Sequence, residues 1–148
     1  VLVIIFFGFV PVGGTYYVQA LTWTPDVTVA SLVCGLLIDT LLVVNNYRDR
    51  EADARSGKRT VIVRFGEKFG RYFYLMLGIT ASLLCLCFLR EGHFYAAFLP
   101  QLYLIPHFLT WKRMVKIYSG KKLNSILGET SRNMLLMGIL IAIGMLIN

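Results

Sequence analysis

The strongest constraint on this chain is the length of its apolar runs. A helix needs ~20 mostly apolar residues to cross the hydrocarbon core of a bilayer. Only helices and closed barrels satisfy their backbone polar groups there. Five stretches approach that length: Val1–Val18, Val27–Val44, Tyr72–Leu89, Phe94–Trp111 and Ser131–Ile147. With polar flanks counted, the second reaches residue 46 and the third starts at 71. The chain therefore reads as an all-α integral membrane protein with five transmembrane helices. Composition agrees, with 57% hydrophobic and 16% charged residues and a mean hydropathy of +0.66. Such values exclude a disordered chain and a disulfide-stapled secreted scaffold. Pro100 and Pro106 predict a kink in the fourth span. Pro11, with Gly8, Gly13 and Gly14, predicts a bend or a close helix contact in the first. The three cysteines, Cys34, Cys85 and Cys87, lie in apolar runs without metal-ligand spacing and read as small buried hydrophobes. The chain begins at Val1, inside an apolar run and without a methionine, so a piece of a longer protein is expected.

A net charge of +7 on a soluble protein would point to nucleic acid. Its distribution here argues for membrane topology instead, and no nucleic-acid partner is expected. Arg48, Arg50, Arg55, Lys58, Arg59, Arg64, Lys68 and Arg71 lie between the second and third spans. Lys112, Arg113, Lys116, Lys121, Lys122 and Arg132 lie between the fourth and fifth. Those two connections carry 14 of the 15 basic residues, leaving Arg90 alone in the turn between spans three and four. The positive-inside rule then puts both connections on the cytoplasmic side of a cytoplasmic (inner) membrane, with a multi-pass chain. Tyr16, Tyr17 and Trp23 at one end, and Tyr72, Tyr74 and Trp111 at the other, fit interfacial aromatic belts.

The cytoplasmic motif loop over 45–70 carries the chemistry. Asp49 and Asp53 are four residues apart, so on a continuing helix their carboxylates share a face one turn apart. Asn46 falls within about 60° of Asp49 and about 20° of Asp53, and Asn45 is about 40° from Asp49. Arg48, Arg50, Lys58 and Arg59 stand around them. Hard carboxylate oxygens suit Mg²⁺, which keeps phosphate oxygens and water as its other ligands. Arg and Lys add charge-assisted hydrogen bonds to a diphosphate. The same residues taken by spacing alone also read as solvated side chains in weak ion pairs.

Asn45-Asn46-Tyr47-Arg48-Asp49-Arg50-Glu51-Ala52-Asp53, followed by Gly57-Lys58-Arg59-Thr60 and Val63-Arg64-Phe65-Gly66, resembles the second aspartate-rich motif of the UbiA superfamily of intramembrane prenyltransferases. The double Asn, the Arg-Asp and the Gly-Lys resemble the branch that prenylates 1,4-dihydroxy-2-naphthoate on the way to menaquinone. The resemblance implies the C-terminal half of a nine-helix bundle, whose other half, with the first aspartate-rich motif, lies outside this chain. It implies Mg²⁺ as cofactor, held by Asp49 and Asp53, which would be the catalytic residues. Asn45 and Asn46 would orient the carboxylates, and Lys58 with Arg48 would contact the diphosphate. The implied substrates are a polyprenyl diphosphate and 1,4-dihydroxy-2-naphthoate, and the fragment alone is expected to be inactive.

Asp39 lies inside the second apolar run, about 20° from Asn46, and is a candidate for the substrate cavity. A hydrogen-bonded structural role is its alternative. His107 reads as an interior hydrogen-bonded histidine, and His93 in the turn gives no signal. Two other functions compete: a UbiA-type enzyme for 4-hydroxybenzoate, haem or chlorophyllide, and a transport or structural module. Transporters place ionisable ligands near the midplane, whereas these carboxylates sit at the end of a span.

Overall fold

The computed structural model describes residues 1–147. Every regular element among them is helical. The elements are α1 (Leu2–Ala20), α2 (Pro25–Arg55), α3 (Val61–Leu84), α4 (Phe94–Phe98), α5 (Leu104–Ile117) and α6 (Asn124–Leu146). A tighter 3₁₀ segment, Cys85–Glu91, extends α3, and another, Leu99–Tyr103, joins α4 to α5. Four helical stretches are long and apolar enough to cross a membrane: Leu2–Ala20, Pro25–Arg55, Val61–Glu91 and Lys121–Leu146.

Local chemistry explains the boundaries. Thr24 caps α2, its hydroxyl accepting from the Val27 amide at 3.4 Å, and Pro25 opens the first turn, where its missing N–H costs nothing. Thr60 caps α3 in the same way through the Val63 amide at 3.2 Å. Where the sequence suggests a loop over 45–70, α2 instead continues to Arg55 and α3 begins at Val61. Gly66 breaks α3 one turn in, at φ 86° and ψ 171°, a conformation open only to glycine. The last helix also begins earlier than residue 131, at Asn124.

The fourth expected span, over 94–111, is not one helix. Pro100 cannot donate a backbone N–H, and the chain tightens into the Leu99–Tyr103 segment around it. Gln101 repairs the interruption: its amide donates to Ala97 O at 2.9 Å and to Ser82 O at 2.8 Å, and accepts from Ser82 Oγ at 2.7 Å. The break thus becomes a polar cross-link to α3. In α1, the expected irregularity takes the form of a π-helical stretch over Ile5–Gly14 that contains Pro11. There Gly8 packs directly on the α2 backbone, where a β-carbon would meet Ser31 O and Gly35.

Two buried clusters stack along the bundle. One holds Val33, Leu37, Ala81, Cys85, Phe88, Tyr103 and Met137. The other, toward the end of α2, holds Val43, Val44, Tyr47, Ile62, Tyr74, Leu77, Met114 and Ile126. Buried Tyr74 and Tyr103 flank buried His107, whose ring stacks on theirs with centroids 4.7 and 5.0 Å away. The Leu75 carbonyl can only accept, so His107 Nε2 donates to it at 3.3 Å, and a neutral ring accepts at Nδ1 from the Tyr103 hydroxyl at 2.9 Å. Cys85 is buried and Cys34 and Cys87 are half-buried, all as free thiols.

Candidate active site

A 31-residue helix is about 46 Å long, and a bilayer core is about 30 Å thick, so roughly the last ten residues of α2 project beyond it. That projection carries Asn45, Asn46, Arg48, Asp49 and Asp53. Asp49 and Asp53 lie on one continuous helix, one turn apart.

Each carboxylate faces a cation. Arg48 grips Asp49 with both arms, Nε and a terminal nitrogen each 2.7 Å from a carboxylate oxygen. Its other nitrogen donates to Asn124 Oδ1 at 2.9 Å, tying α2 to the start of α6. The Arg48 hydrogen bonds hold the Asp49 carboxyl below the usual range. Asp53 is buried, at 9% exposure, and Lys58 returns over it with Nζ 3.3 and 3.4 Å from its two oxygens. The Lys58 amide closes the turn on Asp53 O at 2.9 Å.

Asn46 and Asp39 line one groove of about 370 Å³ with Leu42, Val43, Val61, Ile62 and Phe73. Among the described residues, no side-chain hydrogen bond or ion pair reaches Asp39. Asn45 is exposed on the same projection. Two carboxylates and two amides are the oxygen donors that suit Mg²⁺, with water and phosphate completing its shell. Among the described residues no group of three or more His, Cys, Asp or Glu side chains gathers. Each of the two carboxylates is held by a cation that is itself suited to phosphate.

A second charged cluster flanks the motif and escaped the sequence reading. Glu67 pairs with Arg71 at 3.2 Å and with Arg50 at 3.7 Å. Arg71 Nε donates to the Tyr47 hydroxyl at 2.9 Å, and Arg50 donates to the Tyr47 carbonyl at 2.8 Å. Both guanidiniums lie over the Tyr118 ring, at 5.0 and 5.1 Å. A hydrogen bond to Glu67 pushes the Tyr118 phenol above its ordinary value. One signal was available: Glu67 is the lone acidic residue between Ser56 and Arg71, amid five basic ones. At the other end of the bundle, His93, silent in the sequence, pairs with Asp26 at 3.3 Å.

These features define a helical integral membrane protein with a cation-flanked carboxylate site at the end of one span. The family description "UbiA prenyltransferase family" matches residues 1–146, and the chain belongs to that family. A 1,4-dihydroxy-2-naphthoate octaprenyltransferase of Haemophilus influenzae is 34% identical over 149 residues, covering 98% of this chain and 47% of that protein. Enzymes of the same name from Escherichia coli and Mycobacterium leprae are 40% and 39% identical over 84 residues, 57% of this chain and under a third of each relative. The chain thus spans about half the length of the Haemophilus relative and less of the others. No solved structure matches it.

Proposed function

We propose that residues 1–148 form the C-terminal part of one UbiA-type transmembrane domain, the C-terminal half of a nine-helix bundle. The whole protein transfers a polyprenyl chain from an allylic diphosphate to 1,4-dihydroxy-2-naphthoate with loss of CO₂, giving demethylmenaquinone. It sits in the cytoplasmic membrane with the 45–70 segment on the cytoplasmic side, as the basic residues there require. The fragment alone is inactive, because the first aspartate-rich motif belongs to the other half. The observation that carries this reading is the pair Asp49–Asp53 on a projecting helix end, each held by a cation, in a chain whose relatives bear that enzyme name.

In the mechanism, Arg48 and Lys58 turn from the carboxylates to the diphosphate and bind its oxygens. Asp49 and Asp53 would hold Mg²⁺, and Asn45 and Asn46 would orient those carboxylates. A bound Mg²⁺ supplies Lewis acidity toward the leaving diphosphate. Asp39 and Asn46 line the substrate groove with apolar Leu42, Val43, Ile62 and Phe73, and closure of such walls by the rest of the bundle would keep out water that captures an allylic cation. The electron-rich naphthoate carbon then attacks the allylic carbon, and the ring carboxyl leaves as CO₂.

The test uses the natural full-length protein in membranes with Mg²⁺ and a labelled polyprenyl diphosphate. 1,4-Dihydroxy-2-naphthoate and 4-hydroxybenzoate are offered in parallel, with Asp49→Asn alongside. Product from the naphthoate alone, reduced at least ~100-fold in the variant, is expected. Product from 4-hydroxybenzoate overturns the acceptor assignment. Full activity of Asp49→Asn overturns the metal role.

A further inference from the structure

Arg50 lies between the two motif aspartates in sequence and only about 60° from Asp53 around the helix, a spacing that lets side chains three residues apart pair. Its side chain is 10% exposed, so water cannot solvate its charge and a carboxylate must. Four carboxylates are near enough in sequence or space: Asp49, the exposed Glu51, Asp53 and Glu67. The neighbouring Arg48 shows what a guanidinium does to a motif aspartate within reach, closing on Asp49 with two 2.7 Å bonds. Arg50 does not do this. Its guanidinium turns instead to the Tyr47 carbonyl, the Tyr118 ring and Glu67 Oε2. Tyr47 stands about 160° from Asp49, on the opposite flank of α2. Arg71 braces the arrangement from α3, bonding the Tyr47 hydroxyl and the second Glu67 oxygen and covering the same Tyr118 ring.

We propose that Glu67 is a positioning residue that keeps Arg50 turned away from Asp53 and Asp49, so that a divalent cation competes there with Arg48 and Lys58 but not with a third cation. It acts through Arg50, not on substrate. Without its charge, Arg50 and Arg71 face each other across Tyr118 with no counter-ion. The i,i+3 spacing on α2 then allows Arg50 to swing to Asp53, where a guanidinium competes with metal. The proposal rests on the metal role given to Asp49 and Asp53 above.

The experiment titrates Mn²⁺ against the natural full-length protein in detergent, reading free Mn²⁺ by its electron paramagnetic resonance signal, so no turnover is needed. Glu67→Gln is expected to weaken Mn²⁺ binding about tenfold, and Glu67→Gln with Arg50→Gln to return it to within about twofold of wild type. Arg50→Gln alone is expected to bind at least as tightly as wild type. Binding unchanged in Glu67→Gln overturns the proposal. So does weakening in Arg50→Gln alone, which marks the cluster as scaffolding. If Glu67→Gln does not fold, the Arg50→Gln result alone decides between these. The control Asp53→Asn separates the two levels. Loss of binding there with none in Glu67→Gln removes only this proposal, whereas binding unchanged in Asp53→Asn removes the metal reading and this proposal with it.

Discussion

Replacing Gly78 with alanine should strike His107, a fully buried polar group of the bundle. A β-carbon at Gly78 would lie 2.2 Å from His107 Nε2, 2.4 Å from Cε1 and 2.6 Å from Cδ2. Ordinary contact needs roughly 3.5 Å, so the ring must retreat by about 1 Å. Stacking and hydrogen bonds resist that movement, although a groove of about 430 Å³ lined by Leu75, Ile79 and Leu104 borders the ring on one side. Tyr74 and Tyr103 stack on it, and its two nitrogens are bonded to the Leu75 carbonyl and the Tyr103 hydroxyl. Overpacking costs about 1–3 kcal/mol, and losing the Leu75 bond adds about 1 kcal/mol. Gly78→Ala should therefore destabilise by about 2–4 kcal/mol. His107→Ala should cost a similar ~2–4 kcal/mol, by leaving a cavity and an unpartnered Tyr103 hydroxyl. The double variant tests the cause. With the imidazole gone the new methyl has room, so the combined loss should fall short of the sum by at least ~1.5 kcal/mol. The assay is SDS titration of the full-length protein in mixed micelles, followed by tryptophan fluorescence. Strict additivity, or a Gly78→Ala loss below about 0.5 kcal/mol, refutes the reasoning.

Gly66→Ala meets no atom within 4 Å, so its cost is purely conformational, about 1–3 kcal/mol for a side chain at φ 86°, measured by the same titration. An unchanged midpoint would refute that account. Arg48 holds the Asp49 carboxyl below its ordinary value, so what this pairing contributes is fully present above the ordinary carboxylate value and is lost as pH falls through the depressed one. Arg48→Gln should therefore move the acid loss of Mn²⁺ binding to higher pH, and an acid limb that does not move would refute the assignment. Arg113 meets Glu129 at 2.6 Å between α5 and α6, but its side chain is 60% exposed. Its partner Glu129 is only 12% exposed, so Arg113→Ala leaves that carboxylate unpaired and should cost about 1–3 kcal/mol in the SDS titration, and a loss below about 0.5 kcal/mol would refute this.

The spans and the motif were legible because each depends on local information. Apolar run length decides whether a helix can cross lipid, and Asp49 and Asp53 at i and i+4 share a face on any helix. The helical offset also placed Asp39 and Asn46 on one side, where the structure finds them lining a single groove. The interrupted fourth span was half legible. Pro100 announces a break, but its repair by Gln101 needs Ser82, nineteen residues away, in hydrogen-bond reach. Likewise Glu67 reads in sequence as one acid among bases, and nothing local says that it holds Arg50.

By itself, then, the amino-acid order determined that this chain is a membrane-embedded helical protein and where its two motif carboxylates stand. Period and hydropathy act within a turn or a span, so they survive without knowledge of the neighbours. The pairs Arg48–Asp49 and Lys58–Asp53 are one and five residues apart, and tertiary structure decided the distant partners of these cations. Arg48 has both Asp49 and Asn124 within reach, Lys58 returns over a buried Asp53, and Arg50 is drawn to Glu67 and Tyr118. A buried or half-buried charge pairs with whatever the fold brings within about 4 Å, and only the packing of α2 against α3, α5 and α6 sets that distance.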